Sequence, residues 1–402
     1  LLNTEEWLHH YRESWIRISK KWVPYPFQNN IHYLEPADCA ECLDGLIKSA
    51  LSSAVPPENF DEFLVRTFGG GISRLFMKPY NSKVWAYPLK DMGISWIGDR
   101  VSLPDPTRVA RNVALKTDDV SWGPNNRFRF PRNGGTGRIW ESLTGQLPQE
   151  HVVTGAEAVE LDATHRMVRF SNGQERHFGT LISTIPLDQL ARISRNAHWI
   201  ETASQLKHSS VHVIGVALRG SPSEELRKKC WMYFPESVAP FYRVTHFSLY
   251  SPNNVRDIRT HWSLMSEISE SDHKKVDPSH VIAETIQGME ASGLIETSAD
   301  VSHTWHRRVE YAYPTPTLTR DQIVNQLLPD LMKSNIFSRG RFGAWLYEVG
   351  NMDHSFMQGF EAAAHVLLGT PEFTVWNPSM VNQPHPVLGW DRFGWMNLDE
   401  QT

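Results

Sequence analysis

The chain has 402 residues, 40% hydrophobic and 21% charged, with 40 lysines and arginines against 45 aspartates and glutamates, a formal net charge of −5. That apolar content supports real cores over two or three domains, and 15 tryptophans with 18 phenylalanines exclude a disordered chain. The evenly mixed charge excludes a general nucleic-acid binder, and the longest apolar stretches, such as Val211 to Leu218, fall far short of the roughly 20 residues of a membrane-spanning helix.

In chain order, residues 36 to 118 read as mostly helical. Pro36-Ala37-Asp38 starts a helix with Cys42, Leu43, Leu46, Ile47 and Ala50 at helical spacing. A second helix runs from Phe60 to Thr67 and stops at Gly69-Gly70-Gly71; a third, Ile72 to Met77, ends before Pro79, and Pro104 to Asn112 begins another. His151 to Thr184 then reads as short strands, Ala158 to Leu161, Met167 to Phe170 and Arg176 to Phe178, with a turn at Ser171-Asn172-Gly173 and a buried strand from Leu181. Strand patterns continue over Val211 to Leu218, Trp231 to Phe234, Tyr242 to Tyr250 and His261 to Ile268, interrupted by a helix around His280 to Ser292. A last helix follows Gly350-Asn351-Met352-Asp353-His354 and runs to about Leu368. The pattern is a helical block, an antiparallel block and α/β pieces between them.

Three cysteines, Cys39, Cys42 and Cys230, make no disulfide framework, and their odd count points to a reducing, cytoplasmic setting. Cys39 and Cys42 form a C-x-x-C without a second pair, and on a helix they simply share a face. No metal site is expected.

Four segments join backbone-special residues to aromatics and arginines. In Trp22-Val23-Pro24-Tyr25-Pro26-Phe27-Gln28-Asn29-Asn30, two prolines fix an extended backbone that presents rings beside an amide, the chemistry that stacks and hydrogen-bonds a base. An aromatic loop packing on its own domain is the plainer alternative. Around Phe76-Met77-Lys78-Pro79-Tyr80-Asn81-Ser82-Lys83-Val84-Trp85 and Trp96-Ile97-Gly98-Asp99-Arg100, the arginine suits a bidentate diphosphate clamp or, equally, a surface ion pair. Trp122 to Trp140 carries Gly134-Gly135-Thr136-Gly137, a glycine-rich loop opening a helix, where backbone N–H groups approach an anion closely. Gly340 to Asn351 leads into the last helix, whose positive end suits negative charge on a bound ring, with Asp353 or Ser355 as an ordinary cap otherwise. These residues alone describe a nucleotide or sugar-nucleotide enzyme.

Taken together, the Trp22–Asn30 run, Pro79-Tyr80-Asn81-Ser82-Lys83-Val84-Trp85-Ala86, Phe128-Arg129-Phe130-Pro131 with its glycine loop, Tyr313-Pro314-Thr315-Pro316-Thr317-Leu318 and Tyr347-Glu348-Val349-Gly350-Asn351 resemble the eukaryotic, fungal-type UDP-galactopyranose mutases, flavoenzymes of the amine-oxidase-like group. The resemblance spans about Trp15 to Leu368. It implies interconversion of UDP-galactopyranose and UDP-galactofuranose, serving galactofuranose and cell-wall biosynthesis, through a covalent adduct of the sugar with N5 of reduced FAD. By the same resemblance Tyr25, Phe27, Gln28, Phe76 and Asn81 form a uridine site, with Tyr25 as the stacking ring. Trp85 lies near the ribose or diphosphate, and Arg100 and Arg243 hold the diphosphate as catalytic groups. Tyr233, Tyr313 and Tyr347 bond the phosphates, Trp231 lies beside the sugar, and Asn125 holds a flap. Gly135, Thr136, Arg341, Gly350, Asn351 and the position of Met352 touch the flavin. Partners are a UDP-galactose-type sugar nucleotide and, where the chain self-associates, copies of itself; no nucleic acid or membrane span is expected.

The implied fold is α/β and α+β: a discontinuous, Rossmann-like FAD-binding domain of amine-oxidase type (1–14, 120–205, 321–402), a helical domain (15–119) and a six-stranded antiparallel substrate domain (206–320). Two departures from the family pattern stand out. No G-x-G-x-x-G occurs in the 402 residues and the chain opens on Leu1, so the reading is a flavin domain incomplete at its N-terminus, without the turn that holds the FAD pyrophosphate. Leu346 and Met352 stand where a basic residue and a glutamine are expected near the flavin. A non-catalytic, truncated sugar-nucleotide-binding relative and an FAD-dependent amine oxidase are the alternatives; an amine substrate needs neither the uridine loop nor the diphosphate arginines.

Overall fold

The structure is a computed structural model and describes residues 2–52, 55–120 and 127–382. Its elements in chain order begin with β1 (Trp7–Tyr11), β2 (Ser14–Ile18), β3 (Lys21–Pro24), α1 (Pro36–Leu51), α2 (Phe60–Ile72), α3 (Lys78–Trp85) and α4 (Pro106–Leu115). β4 (Arg127–Pro131), α5 (Gly137–Thr144), β5 (Ala158–Asp162), β6 (Met167–Phe170), β7 (Glu175–His177), β8 (Leu181–Ser183), α6 (Leu187–Ile193) and α7 (Ala197–Ala203) follow. Then come β9 (Lys207–Arg219), β10 (Trp231–Tyr233), β11 (Arg243–His246), α8 (Phe247–Tyr250), β12 (His261–Glu270) and α9 (Val281–Ala291). The last elements are β13 (Val301–Thr315), α10 (Arg320–Lys333), β14 (Ile336–Ser338) and α11 (Met352–Leu368). The chain divides into two compact units: Leu1–Met92, Ser102–Val153 and Ser209–Ala312, and Gly93–Val101, Thr154–His208 and Tyr313–Thr402.

The first unit is built on a seven-stranded sheet of order β13-β9-β12-β11-β10-β2-β3. Its strands show why: Ile214, Val216 and Leu218 alternate on β9, and with Leu264, Ile268, Met232 and Val244 they turn one face inward against Val281 and Met289 of α9. The sheet is not purely antiparallel, because β10 runs parallel to β2, pairing Trp231 with Ser14 and Tyr233 with Ile16. Residues 14–24 thus join this sheet. The β2–β3 turn, Ser19-Lys20, takes φ values of 49° and 61°, the left-handed pair that matches strand twist in a two-residue hairpin.

Two helix readings change. The triple glycine does not stop α2; it bends it at Gly69 (φ 73°) and lets α1 and α2 touch backbone to backbone. A Cβ on Gly69 would lie 2.2 Å from the Gly45 carbonyl carbon. Gly69→Ala is therefore expected to cost about 2–3 kcal/mol, combining left-handed strain with a backbone clash. Chemical denaturation read by circular dichroism checks this, and an unchanged midpoint would contradict it. Nor does Pro79 end a helix: a single π-type stretch, Ser73–Met77, passes directly into α3, and Pro79 is carried within this continuous helical run. The strand read over Tyr242 to Tyr250 is β11 only as far as His246, after which one turn of helix, α8, takes over.

In the second unit, β5, β6 and β7 form a three-stranded antiparallel sheet, and β14 pairs parallel with β8. β8 is not fully buried: Ile182 is 42% exposed. Interior polar groups tie α11 down. Glu361 accepts from the amides of Phe373 (3.1 Å) and Thr374 (2.8 Å), and Arg339 pairs with Glu372 at 2.7 Å through Nε, both side chains nearly inaccessible.

Candidate functional site

In the first unit, four segments converge on an aromatic cluster. The loop after β3 brings Phe27 onto Phe76 (stacked, 4.9 Å), Phe76 stacks on Tyr80 (5.2 Å), and Tyr80 meets Tyr233 edge-on at 5.4 Å. Tyr25 closes the series against Tyr233 at 5.4 Å, with the Arg12 guanidinium 5.5 Å from its ring centre. Phe27, Phe76 and Trp85 are buried, whereas Tyr25 and Asn81 keep partial exposure. Gln28 donates through Nε2 to the Ser102 carbonyl at 2.6 Å, and its Oε1 finds no partner among the described residues. Asn81 donates through Nδ2 to the Met77 carbonyl at 2.8 Å.

The antiparallel pair β10–β11 sets Tyr233 opposite Arg243. Glu267 on β12 receives the Arg243 guanidinium in a two-pronged bond, Nε at 2.9 Å and Nη2 at 2.7 Å, the fork geometry that fixes a planar cation. Arg243 also lies 5.2 Å over Trp231. Burial pushes the Tyr233 hydroxyl up in pKa, which keeps it a neutral donor. Gly135 and Thr136 sit in the turn that opens α5. Asn125 lies outside the described residues.

In the second unit, the turn from Trp345 to Gly350 gathers another group. Tyr347 meets Tyr313 at 5.5 Å and Trp96 at 5.2 Å, both edge-on, and the Arg341 guanidinium stands 5.8 Å from each tyrosine ring. Arg341 donates to the Val349 carbonyl at 2.8 Å and to that of Gly350. Arg100 donates to the Glu348 carbonyl at 2.7 Å and reaches His354 Nε2 at 3.5 Å; burial lowers its pKa. Beneath the turn, buried Arg320 clasps Glu348 at 2.8 and 2.7 Å. Asn351 occupies the N-cap of α11 without a side-chain cap bond, so neither Asp353 nor Ser355 acts as the expected cap. Met352 is 43% exposed and Leu346 is buried.

The flavin implied by the sequence can be tested against these groups. An uncapped helix N-terminus beside Arg341 suits a negatively charged isoalloxazine ring, so the ring end fits. The pyrophosphate end has no G-x-G-x-x-G among the 402 residues to hold it.

Several contributors escaped the sequence reading. Arg12, Glu267 and Arg320 are brought in by contacts between segments far apart in the chain, and Tyr80, which lies in a quoted motif but was given no role, meets Tyr233 only in the fold. No spacing rule announces them. In the C-x-x-C both thiols are free and buried, and burial pushes Cys42 up to about 12. Among the described residues no group could hold a metal ion, and no helix is long and apolar enough to cross a membrane.

A family model described as flavin containing amine oxidoreductase matches residues 18–367. The chain belongs to this flavin-containing amine oxidoreductase family. A solved structure of reduced UDP-galactopyranose mutase is 46% identical, with 94% of this chain and 83% of that chain covered and a TM-score of 0.90. A putative protoporphyrinogen oxidase from Exiguobacterium sp. 255-15 (12% identity, 89% and 82% covered, TM-score 0.63) shares the fold. So does a putrescine oxidase variant redesigned in cofactor binding (12%, 90% and 82%, TM-score 0.59).

Proposed function

We propose that the protein is a UDP-galactopyranose mutase that interconverts UDP-galactopyranose and UDP-galactofuranose with reduced FAD. The observation that carries this reading is the 46% identity to a reduced mutase over 94% of the chain. When bound, the reduced flavin supplies a nucleophile for the anomeric carbon. The isomerisation exchanges O5 for O4 as the ring oxygen and leaves net redox unchanged. The protein binds, orients and stabilises charge.

On this reading Tyr25 stacks on the uracil and the unused Oε1 of Gln28 accepts from it, with Phe27, Phe76, Asn81 and Trp85 completing the nucleoside site. Arg243, held by Glu267, bonds the diphosphate and stabilises the UDP that departs when the C1–O bond breaks. Tyr233, Tyr313 and Tyr347 donate to phosphate oxygens, Arg100 adds the second diphosphate cation, and Trp231 lies beside the sugar. Gly135, Thr136, Arg341, Gly350, Asn351 and Met352 serve the flavin. In the proposed functional division 1–14, 120–205 and 321–402 serve the flavin, 206–320 serve the substrate together with strands 14–24 of the same sheet, and the rest of 15–119 is the helical part, in a cytoplasmic enzyme.

Gly350 ties this reading to geometry. A Cβ there would lie 2.1 Å from Arg100 Nη1. Gly350→Ala should displace the guanidinium and weaken UDP binding about tenfold (about 1.4 kcal/mol), as read by calorimetric titration; unaltered affinity would remove Arg100 from the diphosphate site.

Incubation with UDP-galactofuranose, FAD and dithionite, followed by chromatography, should show conversion to the pyranose. Binding of UDP without conversion would overturn the mutase assignment. It would favour a sugar-nucleotide-binding relative without turnover, a reading that Met352 supports, since a thioether cannot donate to the ring edge as an amide does.

A further inference from the structure

The hairpin of β10 and β11 carries Trp231, Tyr233 and Arg243, while α3 carries Asn81 and Trp85. The tip of that hairpin, Phe234 to Phe241, has no regular structure of its own and is held from outside. Lys83, on α3, sends its Nζ into the tip and donates to three of its carbonyls, Phe234 at 2.9 Å, Glu236 at 2.8 Å and Ala239 at 2.7 Å. Three acceptors match the three hydrogens of an ammonium, so every donor is used and the cation is spent on backbone. Such charge-assisted bonds are the strong ones, and a single point fixes three positions of an irregular loop.

The neighbouring contacts point the same way. Ser269 Oγ on β12 donates to the Val84 carbonyl at 2.6 Å, and Ser271 Oγ donates to that of Ala86, fastening the C-terminal end of α3 to the sheet. On the other side of the tip, Glu236 accepts the Ser19 amide of the β2–β3 turn at 3.1 Å. The tip thus has one anchor on the β2–β3 turn and three on Lys83.

We propose that Lys83 is a positioning residue of the UDP site: its ammonium locks the hairpin bearing Trp231, Tyr233 and Arg243 to the helix bearing Asn81 and Trp85, and so sets the spacing into which the nucleotide fits. The proposal rests on the reading that this unit binds UDP. Lys83 does not touch the nucleotide; it acts through the two elements that do.

The charge state of the clamp provides a readout that simple bulk would not. Burial, with the nearby Lys274 ammonium, pulls Lys83 down to about 7, against the opposing attraction of Glu236. Lys274 is itself lowered by burial. When the proton leaves, two hydrogens face three carbonyls and one anchor is lost. Affinity for UDP therefore falls as pH rises through that range. The contribution of Lys83 to folding moves oppositely: between about 7 and the ordinary lysine value the unfolded chain holds a proton that the folded chain has released, so stability rises with pH there.

The experiment is calorimetric titration of the full chain with UDP at about pH 6.5 and about pH 8.5, for the wild type, Lys83→Met and Lys83→Arg, with circular dichroism to check folding. Lys83→Met should bind at least about tenfold more weakly at both pH values. The wild type should lose at least about threefold more affinity with rising pH than Lys83→Arg, which stays charged. Wild-type affinity in a folded Lys83→Met, or identical pH profiles for the wild type and Lys83→Arg, would overturn the clamp. Should Lys83→Met fail to fold, the comparison of those two profiles decides. A wild type that does not bind UDP at all would instead overturn the substrate reading.

Discussion

Arg243→Ala is expected to lower kcat/KM for the mutase reaction by about 10²–10³, close to the loss of a transition-state charge stabiliser, about 3–4 kcal/mol. Arg243 is fixed on both sides: Glu267 takes its fork at 2.9 and 2.7 Å, and the Trp231 ring lies 5.2 Å beneath. On the proposed mutase reading, a cation so held needs no reorganisation when charge develops on departing UDP. Arg243→Lys keeps the charge but cannot repeat the two-pronged bond, so it should recover only part of the loss. Steady-state kinetics decide the matter, since a fall below about tenfold would show that Arg243 serves structure rather than chemistry. Glu267→Gln offers a companion measurement, because it leaves Arg243 in place with a weakened orienting partner.

The second large effect concerns stability. Arg339 and Glu372 are 1% and 2% exposed at their side chains, and the guanidinium also donates to the Ser338 carbonyl at 2.8 Å. Removing one member leaves a buried charge without its counterion, which costs about 3–5 kcal/mol. Arg339→Met should therefore lower the urea midpoint strongly, and the double variant Arg339→Met with Glu372→Leu should regain much of the loss. Replacing a whole buried pair by apolar groups is often neutral, whereas breaking it is not. A single variant within about 1 kcal/mol of the wild type would show that water or another group reaches Glu372.

These residues also mark where the sequence stops being readable. Local patterns sufficed for the existence and the Leu368 end of α11, though it starts at Met352, a little ahead of the position expected after His354, and for β6, bounded by Ser171-Asn172-Gly173. They did not suffice where backbone geometry has no composition signal. Ser19-Lys20 adopts two left-handed residues without glycine or asparagine, so nothing in 14–24 announced a hairpin. Phe247 to Tyr250 continues an apolar run that periodicity alone cannot separate from strand. The candidate site side chains divide along the same line. Those lying within motifs, Tyr25, Gln28, Asn81 and Tyr347, were named from a family resemblance. Glu267 lies 24 positions from Arg243, and Lys83 meets carbonyls 151 to 156 positions away. Such partnerships exist only once the sheet has formed.

The parallel pairing of β2 with β10 has a consequence for biogenesis. Glu13 and Cys230, which hydrogen-bond at the start of that pair, lie 217 positions apart. At about 5–20 residues per second, a ribosome needs roughly 10–40 seconds to travel between them. Throughout that interval the β2–β3 hairpin has one edge without its partner strand, with Trp15 and Trp22 awaiting the rest of their core. A nascent chain in this condition is a client for holding chaperones, and cooler expression, by slowing aggregation relative to completion of the sheet, should raise the soluble yield.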